Sequence, residues 1–283
     1  MHDPIVYLNG DFVPLSEARV PVLDRGFIFG DGVYDVTPVY DGRPFRLTEH
    51  LARLSRNLAA IRISNPLDDA GWRALIDELL ARHPQWPHQV VYLHVTRGVA
   101  RRDHAFPAGI SPTVFAMTNP FTPPTLDDIG QGLSAISLPD ERWLHCDIKS
   151  ISLLGNLLAR QSAVDAGTAE AVLFRDGKLT EGAAANIWVV KDGTLLAPPR
   201  NHLILEGIRY EVLLTLAEAC GIPVDIRPIE RAEVLAADEL LLSSATKEVQ
   251  PITRLDGQPV GKGQPGPIFK QLFQAYQAEK NRS

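Results

Sequence analysis

Lys149 stands in Cys146-Asp147-Ile148-Lys149-Ser150-Ile151-Ser152, between an apolar run and a helical pattern. In water a lysine amine is protonated and inert, whereas partial desolvation frees its lone pair to condense with a carbonyl. Most lysines at the foot of a helix are merely solvated, so this stretch needs company. It comes 32 positions downstream, in Leu179-Thr180-Glu181-Gly182-Ala183-Ala184-Ala185-Asn186, where an acid and a glycine precede small residues and a strand. A planar ligand could lie flat there, with a carboxylate at its edge. A third stretch, Arg97-Gly98-Val99-Ala100-Arg101-Arg102-Asp103-His104, is dense in cationic and titratable groups. It is either a solvated turn between strands or a functional loop.

Composition narrows the function classes. The chain has 28 basic and 34 acidic residues with no long run of either sign, which argues against nucleic acid or an anionic membrane as partner. A length of 283 residues with 45% hydrophobic content suits two compact units, each with a core. Cys146 and Cys220 have neither metal-ligand nor redox spacing, so no metal site is expected and a reducing cytoplasm fits. Met1-His2-Asp3-Pro4 lacks a basic region followed by an apolar core, and no apolar run approaches the roughly 18 residues of a spanning helix. A soluble protein without export signal or anchor is expected.

The positioning elements follow from pattern. Two short apolar runs flank Asn9-Gly10, a dipeptide that takes the positive backbone angles of a tight hairpin. A strand over 33–39 puts Tyr34 and Val36 on one face. Gly26, Gly30 and Gly32 make the stretch before it a loop whose backbone can approach a ligand, though it is neither a dinucleotide nor a P-loop fingerprint. Thr48 can cap a helix whose Leu51, Leu54, Leu58 and Ile61 form a buried face, leaving His50, Arg53 and Arg56 off that stripe. A second helix starts at Asp68-Asp69 on Trp72, Leu75, Ile76 and Leu79. Strands over 90–96 and 113–117 complete a first domain, 1–118, and three prolines make 119–125 a linker.

The second domain, 126–283, opens with a strand over 133–138 and a helix on Leu153, Leu154, Leu157, Leu158 and Ala163, stopped by Gly167. A β-meander over 171–174, 178–180, 186–190 and 194–197 turns at Asp176-Gly177 and Asp192-Gly193. Gly207 precedes a further helix, a shorter one covers 230–236, and a buried strand over 239–243 leads into Ser244-Ala245-Thr246. A terminal helix follows Pro265 and Pro267.

Taken together, Asp24-Arg25-Gly26-Phe27-Ile28-Phe29-Gly30-Asp31-Gly32-Val33-Tyr34-Asp35, the Lys149 segment and the Thr180-Glu181-Gly182 segment with Asn186 resemble the fold-type IV pyridoxal-phosphate enzymes nearly end to end. Within that group, the class IV aminotransferases, the likeness is greatest to the D-amino-acid aminotransferases. The resemblance implies an α+β chain with a small N-terminal α/β domain and a larger, β-barrel-like C-terminal domain with flanking helices that carries Lys149. It implies pyridoxal 5'-phosphate as cofactor, Lys149 as the catalytic residue and Glu181 as the partner of the pyridine nitrogen. The phosphate would be held by Arg53 and by backbone donors at Ile208, Arg209, Ala245 and Thr246. Tyr34, Arg102 and His104 match the group's trap for the substrate carboxylate. Substrates would be a D-amino acid, such as D-alanine or D-glutamate, and a 2-oxo acid, handled by a cytoplasmic homodimer with shared active sites. The chain departs from the group's pattern at Arg209, where a threonine is common, and at Ala245 and Ala183 to Ala185, where hydroxyls are. A branched-chain aminotransferase or aminodeoxychorismate lyase of the same fold, and more remotely a cofactor-free binding protein, are the alternatives.

Overall fold

The structure, a computed structural model, describes residues 3–282, so Met1 and His2 of the segment read for an export signal lie outside it. The chain forms two compact units, Met1–Thr122 with Ile148–Ser152, and Pro123–Asp147 with Leu153–Ser283.

In the first unit β1 (Ile5–Leu8), β2 (Asp11–Pro14), β3 (Gly32–Tyr40), β4 (Arg43–Pro44), β5 (Gln89–Thr96) and β6 (Thr113–Pro120) make an antiparallel sheet in the order β2-β1-β6-β5-β3-β4. Asn9-Gly10 turns the first hairpin with φ of 52° and 110°, and Asp41-Gly42 the second with 49° and 75°. These are the left-handed angles that Asn-Gly and Asp-Gly tolerate best. Helix α1 (Arg25–Phe29) replaces the expected loop: Asp24 caps it by accepting from the Gly26 amide, and Gly30 ends it at φ 67°. Helix α2 (Leu47–Ala60) buries Leu51, Leu54 and Leu58, and α3 (Asp69–Ala81), capped by Asp68, buries Trp72, Leu75, Ile76 and Leu79. Thr48 does not cap α2; Arg46 stands at the cap with φ 57°, while the Thr48 hydroxyl accepts from Arg73 of α3 at 2.8 Å. Strand β6 runs through Pro120, opposite Gln89, so the first two residues of the expected linker are sheet.

Residues 148–152 belong to this unit, not to the second where the sequence places them. The Tyr34 amide donates to the Lys149 carbonyl at 3.0 Å, the Ile151 amide to the Gly32 carbonyl at 3.1 Å, and Ser150 bridges Val33. The lysine segment thus lies along the edge of β3.

The second unit contains α4 (Leu126–Ile129), β7 (Leu133–Pro139), α5 (Leu154–Asp165), β8 (Glu170–Arg175), β9 (Lys178–Gly182), β10 (Asn186–Lys191), β11 (Thr194–Ala197), α6 (Ile208–Ala219), β12 (Val224–Ile226), α7 (Arg231–Leu235), β13 (Glu239–Ser244), β14 (Glu248–Leu255), β15 (Gln258–Pro259) and α8 (Pro267–Arg282). Its sheet runs β12-β11-β10-β13-β14-β7-β8-β9, with β15 on β14. The expected meander is therefore two hairpins, β8–β9 and β10–β11, separated in the sheet because β10 pairs with β13. The sheet curls into a half-barrel that brings β9 beside β10. Helix α5 departs from its apolar pattern: Leu154, Leu157 and Leu158 are 69%, 61% and 62% exposed, and Ala163 is its buried residue. Among the described residues no helix is long and apolar enough to cross a membrane, and no cluster of three or more His, Cys, Asp or Glu could hold a metal ion.

Candidate active site

On the first unit, β3 sorts its side chains by alternation. Tyr34 and Val36 are half-buried on one face, and Val33, Asp35 and Thr37 are buried on the other. The half-buried Lys149 lies with Nζ 4.1 Å from the Tyr34 ring centroid, over the electron-rich face that attracts a cation. Tyr92 and His94 sit on the strand adjacent to β3, where Val36 pairs with Tyr92 and Tyr34 with His94. The Tyr92 hydroxyl and His94 Nδ1 are 2.8 Å apart, and the Tyr34 and Tyr92 rings 5.6 Å. Burial pushes Tyr92 up to about 12 and His94 below its ordinary value, so the hydrogen bond joins a neutral phenol and a neutral imidazole. Sequence reading missed this pair. Its i, i+2 spacing in a strand, opposite Tyr34 and Val36, was the available signal.

Asp35, on the buried face, accepts from Arg53 Nε at 2.9 Å and Nη2 at 3.1 Å, and lies 2.6 Å from His50 Nδ1. Its burial is outweighed by the charges and hydrogen bonds of Arg53 and His50, which hold the carboxyl far below the usual range. Arg53 is therefore an oriented, buried guanidinium, not a solvated one. Arg102 and His104 are exposed and gather at Phe29, 5.4 Å from its centroid to the Arg102 guanidinium carbon and 5.6 Å to the His104 ring. Within the single chain they meet at Phe29 and not at Tyr34.

On the second unit, Glu181 lies at the end of β9, buried. One oxygen pairs closely with Arg142 Nη1; the other accepts from Asn186 Nδ2 at 3.2 Å and the Leu205 amide at 3.1 Å. Arg142 is fixed in turn by Asp140, to which Nε and Nη2 donate at 2.9 and 2.8 Å, and Asp140 also accepts from Thr180 Oγ1 at 2.8 Å. Burial pushes the Glu181 carboxyl up to about 7, against the pull of Arg142. A further positive charge at this carboxylate would therefore be well received. Gly207 is required beside it, because a Cβ there would come within 2.4 Å of Asn186 Oδ1.

Gly207 is also the N-cap of α6, and no side chain caps it. The first-turn amides, with the helix dipole behind them, suit an anion. Ile208 is half-buried at this point, while Arg209 turns inward: 2% exposed, it donates from Nε to the Tyr276 hydroxyl at 3.0 Å and from Nη2 to the Ala245 carbonyl at 3.4 Å. The arginine that departs from the expected threonine thus ties the α6 start to the 244–246 turn. In that turn Ala245 is half-buried and Thr246 exposed. Of the three alanines after Gly182, Ala183 and Ala185 are buried, so only Ala184 presents the surface that lost a hydroxyl.

A lysine amine and a carboxylate, each set in place by backbone and by neighbours of its own, are equipment for amino-group chemistry. The model of the amino-transferase class IV family matches residues 32–255, and the chain belongs to that family. It is 41% identical over 272 residues to the D-alanine aminotransferase of Bacillus licheniformis, covering 96% of this chain and 95% of the relative. To the D-alanine aminotransferase of Staphylococcus haemolyticus it is 37% identical over 276 residues, with 96% of both chains covered. Among solved structures, the branched-chain amino acid aminotransferase of Escherichia coli superposes with a TM-score of 0.88 at 26% identity, covering 98% of this chain and 94% of that one.

Proposed function

We propose that the protein is a pyridoxal-5'-phosphate-dependent aminotransferase that exchanges an amino group between a D-amino acid, such as D-alanine or D-glutamate, and a 2-oxo acid. The observation that carries this reading is the Lys149 amine over Tyr34, on a segment whose Lys149 carbonyl and Ile151 amide bond to the backbone of β3. The residues fit the cofactor: Glu181 is a buried acceptor suited to a pyridine nitrogen that carries a proton, and the uncapped α6 start suits a phosphate. When bound, pyridoxal phosphate supplies an electron sink for the bond broken at the substrate α-carbon. Lys149 Nζ holds the cofactor and afterwards moves the α-proton. Glu181 keeps the ring nitrogen protonated. Arg53, oriented by Asp35, and the backbone at Ile208, Arg209, Ala245 and Thr246 bind the phosphate.

Tyr34, Arg102 and His104 bind the substrate carboxylate. Because Arg102 and His104 gather at Phe29 in the single chain, we assign them to the site of a second copy, in a homodimer with shared active sites. The exposed apolar side chains Val22 and Phe27 on the first unit and Leu154, Leu157 and Leu158 on the second support association. Sedimentation at assay concentration is expected to give a dimer; a fully active monomer would overturn the shared site. Both cysteines are free thiols, which fits the cytoplasm as the site of action.

Arg102→Leu is expected to weaken D-alanine use by roughly ten- to a hundredfold, the worth of a charge-assisted bidentate contact. An amine that has no carboxylate never uses that contact, so the ratio of the two activities separates the trap from general damage. Branched L-amino acids are the second reading, favoured by the structural similarity to branched-chain enzymes. Parallel assays with D-alanine, D-glutamate, L-leucine and aminodeoxychorismate decide between them. Preference for L-leucine would reject D-amino-acid transamination, and a colourless protein that takes up no cofactor would reject both.

A further inference from the structure

Beneath the Arg97 to His104 loop lies a group of buried charges that the proposed chemistry does not use. Arg25 is 3% exposed, and its guanidinium combines an ion pair with bonds to backbone carbonyls. Nε donates to Asp31 Oδ2 at 2.7 Å, Nη1 to the carbonyls of Asp103 at 2.6 Å and Ala105 at 3.4 Å, and Nη2 to the carbonyl of His104 at 3.5 Å. Its own amide donates to the Gly98 carbonyl at 2.9 Å. One residue therefore fastens both the start and the far side of the loop.

Asp31 is shared with a second arginine. Arg97 Nε donates to Oδ2 at 2.8 Å and Nη2 to Oδ1 at 2.9 Å, while Arg97 also donates to the Ile61 and Arg62 carbonyls just past α2. Burial alone would raise the Asp31 carboxyl, but Arg97 and Arg25 outweigh it and hold it below the usual range. Arg97 further lies 3.6 Å from the centroid of Phe106, closing the loop's other end.

The consequence is geometric. Residues 100–112 form neither helix nor strand, so no ladder sets their course. Instead three consecutive carbonyls, at 103, 104 and 105, turn inward onto one buried cation. With the backbone fixed from within, the side chains of Arg102 and His104 are left outside, against Phe29, whose centroid is also 4.8 Å from the Arg25 guanidinium carbon. Lysine could not reproduce this: an ammonium lacks the planar fork that reaches Asp31 and several carbonyls at once.

We infer that Arg25 is a positioning residue for substrate-carboxylate recognition, setting the backbone at 103–105 and through it the direction of Arg102 and His104. It does so without touching substrate. The inference rests on the reading that these two side chains bind the carboxylate.

The test compares holoenzyme carrying Arg25→Gln, Arg25→Lys, Arg102→Leu and the Arg25→Gln/Arg102→Leu pair, by D-alanine kinetics and by amide hydrogen exchange over residues 101–106. Arg25→Gln is expected to raise KM by roughly ten- to a hundredfold, the scale of loss when a binding group is misplaced, with a smaller change in kcat. Loop exchange should accelerate. Arg25→Lys, which keeps a cation beside Asp31 and so guards the fold, should show a smaller rise in both. Because Arg25 acts through Arg102, the double variant should be little worse than Arg102→Leu alone. Wild-type KM and exchange in both Arg25 variants would overturn the inference, as would a double variant whose loss is the product of the single losses. If Arg102→Leu itself leaves D-alanine KM unchanged, the carboxylate reading fails instead. If it raises KM while neither Arg25 variant does, only the positioning role fails.

Discussion

Lys149→Ala is expected to lower transamination by about 10⁴-fold or more, the upper range for a positioned proton-transfer group, since the proposed function has this amine hold the cofactor as well. The segment that carries it is fastened to Gly32 and Tyr34 through backbone atoms, which alanine leaves in place. The variant should therefore fold and melt close to the wild type, and the loss can be charged to the amine. Single-turnover assays with D-alanine, paired with the visible absorbance of the cofactor-loaded protein, give the measurement. Turnover within tenfold of wild type would remove Lys149 from the mechanism.

Glu181→Gln is expected to retain cofactor and to slow turnover by about 10²- to 10³-fold, as when one preorganised electrostatic partner is removed. An amide cannot hold a positive ring nitrogen. The same substitution has a second signature in cofactor-free protein. The Glu181 carboxyl lies at about 7 when folded, against an ordinary 4.5, so the unfolded chain gives up this proton first. The stability this group contributes is complete below pH 4.5 and lost as pH rises to about 7, a change on the order of 3 kcal/mol. Urea unfolding at both pH values should show that loss in the wild type and not in Glu181→Gln. Added cofactor, bringing a cation to the carboxylate, should shrink it. Equal slopes in the two cofactor-free proteins would mean that Arg142 already keeps Glu181 ionised.

Local signals in the sequence were reliable where the physics is local. Asp68 and the Trp72 to Leu79 stripe mark α3, and Asn9-Gly10, Asp176-Gly177 and Asp192-Gly193 all adopt the left-handed angles their hairpins require. The failures are non-local. Thr48 has the chemistry of a cap, yet its hydroxyl is engaged by an arginine 25 residues away. The leucines of α5 have helical periodicity, but periodicity does not say whether the covering surface lies within the chain. Strands β9 and β10 follow one another in sequence and still belong to different hairpins, because sheet order depends on β13 finding β10. In the proposed site, Lys149 and Glu181 stand out in the sequence through their flanking motifs. Asn186 stood in the same motif, but Arg142, which pairs with Glu181, and Asp140, which fixes Arg142, were not legible, since contacts that span some 40 residues leave no spacing to read. Arg53 was found only through likeness, and its partner Asp35, on the alternate face of β3, not at all.

The placement of residues 148–152 along β3 also bears on how the protein is made. Everything else in the first unit has been translated by Thr122, but the edge at Gly32 to Tyr34 lacks the backbone partners that Lys149 and Ile151 later provide. At roughly 5 to 20 residues per second, the ribosome takes a few seconds to supply them. For that interval the nascent sheet carries an open strand edge beside Val33, the kind of template on which newly made chains aggregate. The residue assigned to the chemistry is thus also part of the last stitch of its unit, so that the amine arrives in place at the moment the edge is sealed.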